Sequence, residues 1–522
     1  MEVGAEGFAR RLPRLRRRIL RAAFVGEQQP VHSELLCVRS PFPHSGSVPS
    51  LFDSPAERYV KARQSVQRFT LVQLGKCCFD TESELPRYVV HSYNFFLFPS
   101  TLGIRDVEFT LSASSIQFLS HYGFDYNKFI KDGIPYMNEV QENILRQHLL
   151  AGTWKVCSNA DKDVLKKAID EVTSWIAAAK EEDTMILQDL NGYHVLEVQL
   201  VLRQALENVW TEPLGDKKVM VKKVSPEHRQ LLENSSSDHC QNKLILLSAR
   251  GFTNLFQILV KAKKPLVGHN MLMDLMHLHD KFYRPLPESY EEFKRNIHNL
   301  FPVIIDTKTV IKSVQKKCLF PRVSSLLEAY AALCSSNLNP KGPPCPVIAL
   351  ASGCSRYAEK KSPHEAGYDA FLCGSGKMLL KNSFRVCVGL WQSFSSLDAV
   401  EADPSFSQYL TVLAEHVNKV NFIRGGVSSI NFSGEDTPCR HPPALIVHVR
   451  GWPGLTERQI YQEFKSRCRF DVRRLSENQF ILLSNQYKHV RLVLRDYRHH
   501  PHLQVSVYRH WRHSPSVNCL LQ

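Results

Sequence analysis

Two short segments roughly ninety residues apart hold the side chains of this chain that could do chemistry together: Lys264-Pro265-Leu266-Val267-Gly268-His269-Asn270-Met271 with Asp274, and His364-Glu365-Ala366-Gly367-Tyr368-Asp369. Carboxylates are hard oxygen ligands suited to divalent cations. Imidazole titrates near neutrality and can accept a proton from water. Asp274, Asp369 and His364 therefore offer a metal-binding and proton-transfer set. A lone aspartate or histidine is more commonly a solvated or capping residue, and only the joint pattern argues otherwise. His269, His277 and His279 beside Asp280 suggest zinc, but a two-residue step does not place a pair of ligands on one helical face.

These residues need elements to position them. Pro265 to Gly268 reads as a short buried strand, Met271 to Phe282 as a helix, and Phe301 to Lys308 as an apolar strand ending in a carboxylate and a base. Such alternation predicts a mixed α/β sheet, whose ligands sit outside the carboxyl ends of its strands. Asp274 and Asp306 follow strands in that way. Upstream, Arg68 to Gly75 and Val89 to Phe98 read as strands, Ser112 to Leu119 and Asn138 to Leu149 as helices, and Arg39 to Pro55 as a Pro/Ser-rich loop.

The character changes between residues 158 and 240. Charged amphipathic helices around Asp161–Lys180 and Leu196–Leu206, then a strand from Val219 to Val224, predict a small inserted α+β module. The sheet domain is thus expected in two parts, residues 1–157 and 241–400. A linker over 401–441 follows, then a β-α-β-β-α-β block over 442–513 and a tail over 514–522. Thr456 stands where a helix N-cap is needed. The block has the order of ferredoxin-like, RNA-recognition-like domains, although its first and third strands lack the aromatic run that such domains stack on bases.

Composition narrows the partners. The 522 residues are 43% hydrophobic, enough for two or three cored domains, and carry a net charge of +15. A pI near 9.1 suits a polyanion, because cationic side chains release counterions from phosphate backbones. The 14 cysteines form no CxxC pair, which argues against a structural zinc or a disulfide framework and for a reducing compartment. No run approaches about 18 apolar residues, so no bilayer-spanning helix is expected. The arginines between Arg10 and Arg21 read as the solvated face of a first helix.

With the residues laid out, a resemblance becomes visible. Gly268-His269-Asn270-Met271 with Asp274, Asp306-Thr307-Lys308, and His364-Glu365-Ala366-Gly367-Tyr368-Asp369-Ala370 resemble signatures of the poly(A)-specific ribonuclease family of DEDD exonucleases. Phe52-Asp53-Ser54-Pro55 with Glu57-Arg58-Tyr59, Ser115 to Leu119, Gly123 to Lys128 and Gly133-Ile134-Pro135-Tyr136 extend it over residues 50 to 375. Within the family, the similarity points to the branch that trims the 3′ ends of PIWI-interacting RNA precursors.

The resemblance implies a ribonuclease H-like sheet, an inserted module that binds single-stranded nucleic acid, and a 3′-to-5′ exoribonuclease using two Mg²⁺ ions. It implies Asp274 and Asp369 as metal ligands, His364 as the base that deprotonates the attacking water, and Lys308 as an RNA contact. Implied partners are single-stranded RNA 3′ ends, a second copy of the chain, and an adaptor or PIWI-RNA complex, with no DNA. Relatives are anchored to the endoplasmic reticulum or the mitochondrial outer membrane by a C-terminal helix that this chain lacks, so a cytoplasmic or nuclear location is expected.

One signature is missing. Family members carry Asp-x-Glu on the opening strand, whereas here Phe24-Val25-Gly26 runs into Glu27-Gln28-Gln29-Pro30, putting Gln28 and Pro30 at the acidic positions. Glu27 and Glu34 are the candidate substitutes, yet Pro30 and the prolines at 41 and 43 make a regular strand there improbable. Two readings stay open: a 3′-to-5′ exoribonuclease with impaired activity, or an RNA-binding scaffold of the same fold.

Overall fold

The computed structural model describes residues 1–21, 25–28, 50–81, 87–100, 107–151, 159–190, 194–215, 218–234, 246–317, 323, 325–334, 347–375, 413–438, 442–451, 454–465, 468, 470–514 and 517. The chain divides into two compact units, residues 1–41 with 63–420, and residues 42–62 with 421–522.

The larger unit opens with β1 (Glu2–Val3), the helix Ala5–Arg21 and β2 (Val25–Gln28), then builds β3 (Gln73–Thr81), β4 (Arg87–Pro99) and the short β5 (Ile134–Tyr136). A second, three-stranded sheet follows within the same unit. Its strands β6 (Thr184–Leu187), β7 (Val209–Gly215) and β8 (Lys218–Lys223) form an antiparallel sheet in the order β6-β8-β7, packed on the helices Asn159–Ala178 and His194–Ala205. It has its own core of Leu165, Val172, Val198, Leu202, Val209, Val219 and Val221.

The main sheet resumes with β9 (Leu266–Gly268), β10 (Ile304–Asp306) and β11 (Val347–Leu350). Its order is β1-β4-β3-β2-β9-β10, with β5 and β11 also pairing with β4. β3 runs antiparallel to β2 and β4, whereas β9 and β10 run parallel to β2 and to each other. This is a mixed α/β sheet. All residues of β9 and β10 are buried, as parallel strands covered on both faces must be.

The two faces differ in chemistry. One is aromatic: Phe8 meets Phe95, which meets Phe252, which meets Phe282, with centroids 6.1, 5.1 and 5.1 Å apart. The other packs Val90, Val267 and Ile305 against Val310, Tyr357, Tyr368 and Phe371. On this second face β3 and β4 also carry buried polar residues at alternate positions, Gln73, Ser92 and Asn94.

Three expectations change on contact with the structure. The strand expected at Arg68 begins only at Gln73, because Pro55–Arg68 is a helix. Its start was readable: Ser54 and Glu57 cap one another reciprocally (Ser54 N–H to Glu57 at 2.8 Å, Glu57 N–H to Ser54 Oγ at 3.2 Å), and Pro55 takes the first helical position. The helix expected from Met271 to Phe282 is α-helical only over Leu272–Leu278 and widens to a π-turn over His279–Tyr283. Thr307 and Lys308, expected in a strand, begin the helix Thr307–Lys317.

β2 forms despite Pro30 and continues to Gln28; residues 29–49, which include Pro30 and Glu34, lie outside the described residues, as do 376–412 and most of 514–522. Residues 413–438, expected within a linker, contain a short 3-10 turn, β12 (Lys419–Asn421), β13 (Val427–Asn431) and β14 (Thr437–Pro438). Asn418 fastens the start of this stretch to β10, its side-chain oxygen accepting the Ile304 N–H at 2.8 Å.

In the smaller unit β15 (Leu445–Val449), β16 (Asp471–Ser476), β17 (Gln479–Leu483) and β18 (Leu503–Val507) form an antiparallel sheet in the order β16-β17-β15-β18. The helices Glu457–Lys465 and Tyr487–Asp496 supply Ile460, Phe464, Val490 and Val493 to a core against Leu445, Val447, Phe480 and Leu482. Thr456 caps the first helix as expected, accepting the Gln459 N–H at 3.3 Å while Gln459 accepts the Thr456 N–H at 2.9 Å. Among the described residues no helix is long and apolar enough to cross a membrane.

Candidate active site

The segment 364–369 is seated on β3 and β4 through its backbone. Gly75 is the contact point: a Cβ built there would lie 1.9 Å from the carbonyl carbon of Ala366, so only glycine allows the approach. Around it the buried polar residues of the sheet satisfy the incoming backbone. Gln73 accepts the Ala366 N–H at 3.2 Å, Asn94 accepts the Gly367 N–H, and Ser92 donates to the Gly367 carbonyl at 2.7 Å. Asn94 also donates to the Tyr357 hydroxyl at 2.7 Å and to Glu365, whose carboxylate receives Arg356 and Tyr357 as well. This network holds the start of the helix 366–375.

Asp369 lies on the first turn of that helix and is 5% exposed. Burial raises its pKa to about 7, against the opposing bond from the His364 backbone. Its Oδ2 is buried without a hydrogen-bond partner, as is Nδ1 of His364. Each is a buried polar atom that a ligand or ordered water would satisfy.

His364 precedes the helix at φ +66°, in the left-handed region where a non-glycine residue is strained. Burial lowers its pKa, favouring the neutral imidazole that can take up a proton. Its ring meets Tyr122 at 4.3 Å and Phe118 at 5.0 Å.

Asp274 sits on the first turn of the Leu272–Leu278 helix and is 8% exposed. Burial, followed by the charges of Asp369, Asp274 and Asp306, drives the Cys373 thiol far up. Carboxylates from three elements thus act electrostatically on one buried sulfur.

Asp306, the last residue of β10, is fully buried and already engaged. It accepts the N–H groups of Asn270 at 2.8 Å, Met271 at 3.2 Å and Lys308 at 2.9 Å. It therefore shapes the turn after β9 and the start of the next helix. Thr307 donates its hydroxyl proton to Gly268 at 2.9 Å, so His269 Nδ1–H must be the donor in its 2.9 Å contact with Thr307. Burial, helped by the ammonium groups of Lys308 and Lys312, lowers the His269 pKa to about 3. Lys308 is half-buried beside this neutral histidine.

The opening strand enters this site through its register. Gln28 pairs with Gly75 and Gly26 with Cys77, while Glu27 pairs with Lys76. Position 28 is thus the backbone partner of the glycine on which Ala366 rests, and position 27 is one place out of that register. Among the described residues no group of three or more His, Cys, Asp or Glu is gathered as a metal cage. Asp274 and Asp369, one with an oxygen that has no hydrogen-bond partner, are donors of the chemical type that suits a divalent cation; two ions need more oxygen ligands than these two residues supply.

Sequence reasoning missed Tyr122 and the polar grip of Gln73, Ser92 and Asn94. Ser92 and Asn94 left a signal: two polar residues spaced by two inside an otherwise apolar, aromatic strand.

The geometry now has a context. Residues 3–376 match the CAF1 family of ribonucleases. The chain belongs to that family. It is similar to the poly(A)-specific ribonuclease PNLDC1 of Mus musculus, 55% identical over 100% of this chain and 96% of the relative. The poly(A)-specific ribonuclease PNLDC1 of Homo sapiens is 57% identical over 91% of this chain and 90% of the relative. The pre-piRNA 3′-exonuclease trimmer of Bombyx mori is 28% identical over 89% and 86%. A CAF1-family ribonuclease has the ribonuclease H-like sheet expected from the motifs, and these relatives are ribonucleases, the Bombyx mori one a 3′-exonuclease.

Proposed function

We propose that the chain seats the 3′ end of a single-stranded RNA over Asp274, Asp369 and His364, in the manner of a 3′-to-5′ exoribonuclease acting on poly(A) or PIWI-interacting RNA precursors. The observation that supports this reading is the pair of buried atoms without a hydrogen-bond partner, Asp369 Oδ2 and His364 Nδ1, with the charges of Asp369 and Asp274 both acting on the Cys373 thiol. Bound Mg²⁺ would polarise the scissile phosphate and lower the pKa of water. Asp274 and Asp369 would hold it. The neutral imidazole of His364 would take the proton of the attacking water, and Lys308 would hold a phosphate oxygen. The inserted module and the β-α-β-β-α-β unit, whose strand order is that of ferredoxin-like domains, would hold RNA upstream.

Activity is expected to be weak. Gln28, opposite Gly75 in the sheet, stands where the family resemblance implies an acidic residue, which supports the RNA-binding reading as the second one. Losing roughly 3–5 kcal/mol of transition-state stabilisation slows a reaction by about two to four powers of ten.

The test is trimming of a 5′-labelled A-rich oligoribonucleotide with Mg²⁺ by the original chain, by Asp274→Ala, and by the double substitution Gln28→Asp with Pro30→Glu. Stepwise trimming that rises by at least a hundredfold in the double substitution and vanishes on adding Asp274→Ala is expected. Equal trimming by the original and the double substitution would overturn the impairment. RNA binding with no trimming in any form would support the scaffold instead.

A further inference from the structure

His364 lacks the usual device for orienting a working imidazole. Such a ring is ordinarily fixed by a hydrogen bond from its second nitrogen to a carboxylate or carbonyl. Here Nδ1 is buried and has no partner. The main chain is firmly placed, since the Glu365 N–H bonds the Ser362 carbonyl at 3.2 Å and the next two residues are gripped by Gln73 and Asn94. Nothing in that grip sets the rotation of the ring.

Two aromatic rings border it instead. Tyr122 lies 4.3 Å from the imidazole centroid at 59°, and Phe118 lies 5.0 Å away at 73°. The two also touch each other, 4.7 Å apart, so they form one wall. Its footing is rigid. Ser112 caps the helix Ala113–His121 by accepting the Ser115 N–H, Leu119 is buried against Val72, Phe96 and Phe129, and the Tyr122 N–H closes the helix on the Phe118 carbonyl at 3.2 Å. Gly123, at φ +76°, then turns the chain away.

We infer that Tyr122 is a positioning residue: with Phe118 it orients the His364 imidazole by packing, in place of a hydrogen bond. Tyr122 is 41% exposed, more than a core residue needs, and its hydroxyl is not required for this role. The Phe118 contact is edge-to-face and the Tyr122 contact tilted, and such ring pairs favour one orientation by about twofold to tenfold. The catalytic consequence rests on the exoribonuclease reading. The orientation itself does not.

The test therefore has two arms. In the first, the full chain carries 13Cε1-labelled histidine, and the His364 resonance is assigned with His364→Gln. Ring currents from Tyr122 and Phe118 should shift this signal away from those of exposed histidines. Tyr122→Leu should displace it and Tyr122→Phe restore it, with the histidine signals other than that of His121, whose ring also meets Tyr122, unmoved. A His364 signal unchanged in Tyr122→Leu would overturn the proposal, whatever the protein does to RNA. In the second, the Gln28→Asp, Pro30→Glu form is assayed with and without Tyr122→Leu. A fall in kcat on the order of a hundredfold with KM held within about twofold is expected, as for a small misplacement of a reacting group, with recovery in Tyr122→Phe. A raised KM with unchanged kcat would overturn positioning and make Tyr122 a platform for a base. If the double-substituted form is inert, the exoribonuclease reading fails while the first arm still decides the inference.

Discussion

Asp306 looks like a catalytic carboxylate in the sequence and acts as a structural one in the fold. It ends a buried strand, as a ligand of an α/β sheet would, yet its oxygens are committed to the backbone N–H groups of Asn270, Met271 and Lys308. Asp306→Ala would leave buried donors without an acceptor, at a cost of about 2–4 kcal/mol measured by urea unfolding in chelator. A loss below about 0.5 kcal/mol would mean that the turn after β9 holds by itself. Asp274, Asp369 and His364 were legible because their residue types and spacings form a pattern. Tyr122 was not, because a single tyrosine at a helix end matches the composition of any loop, and only three-dimensional closure sets it on His364.

At the scale of elements, the closest approach in the site region is between β3 and the helix 366–375, and it depends on Gly75. Gly75→Ala would force its methyl group into the Ala366 carbonyl, since neither backbone can yield easily. The expected cost is about 3 kcal/mol, at the upper end for overpacking, with loss of RNA binding by the same protein. A variant with an unchanged urea midpoint would show that the helix can retreat. On the other unit, Thr456→Ala should cost about 1 kcal/mol, because the capping exchange with Gln459 is lost. Elements with strong local signals were readable, including this helix, the Val89–Phe98 strand and the two amphipathic helices of the inserted module. The Pro55–Arg68 helix was overlooked beside its own capping box, since the Pro/Ser-rich run before it reads as loop. The π-turn at His279 had no local signal at all.

For the whole molecule, acid is the expected weakness. His91, His277 and His279 are lowered to about 4 and His269 to about 3, each chiefly by burial. In the unfolded chain they would titrate near 6.5, so below that pH the unfolded state binds more protons. The stability these neutral rings contribute is complete above about pH 6.5 and drains away as pH falls toward their folded values. Each adds up to about 1.4 kcal/mol per pH unit to the slope. Urea midpoints should therefore drop steeply between pH 7 and pH 5 in metal-free buffer, and His269→Gln should flatten the curve by about one proton. A flat profile would show these histidines hydrated and charged in the fold.

The pairing of β2 with β3 turns the lost acidic signature into a matter of odd and even. Glu27 is an acid one place too early, and a pleated ribbon does not forgive an error of one. Deleting a single residue upstream, or inserting one, would shift by one place which residue of β2 stands opposite Gly75. Any repair of hydrolysis by laboratory selection should consequently land on an even-numbered codon of β2, or arrive as the gain or loss of one codon before Val25.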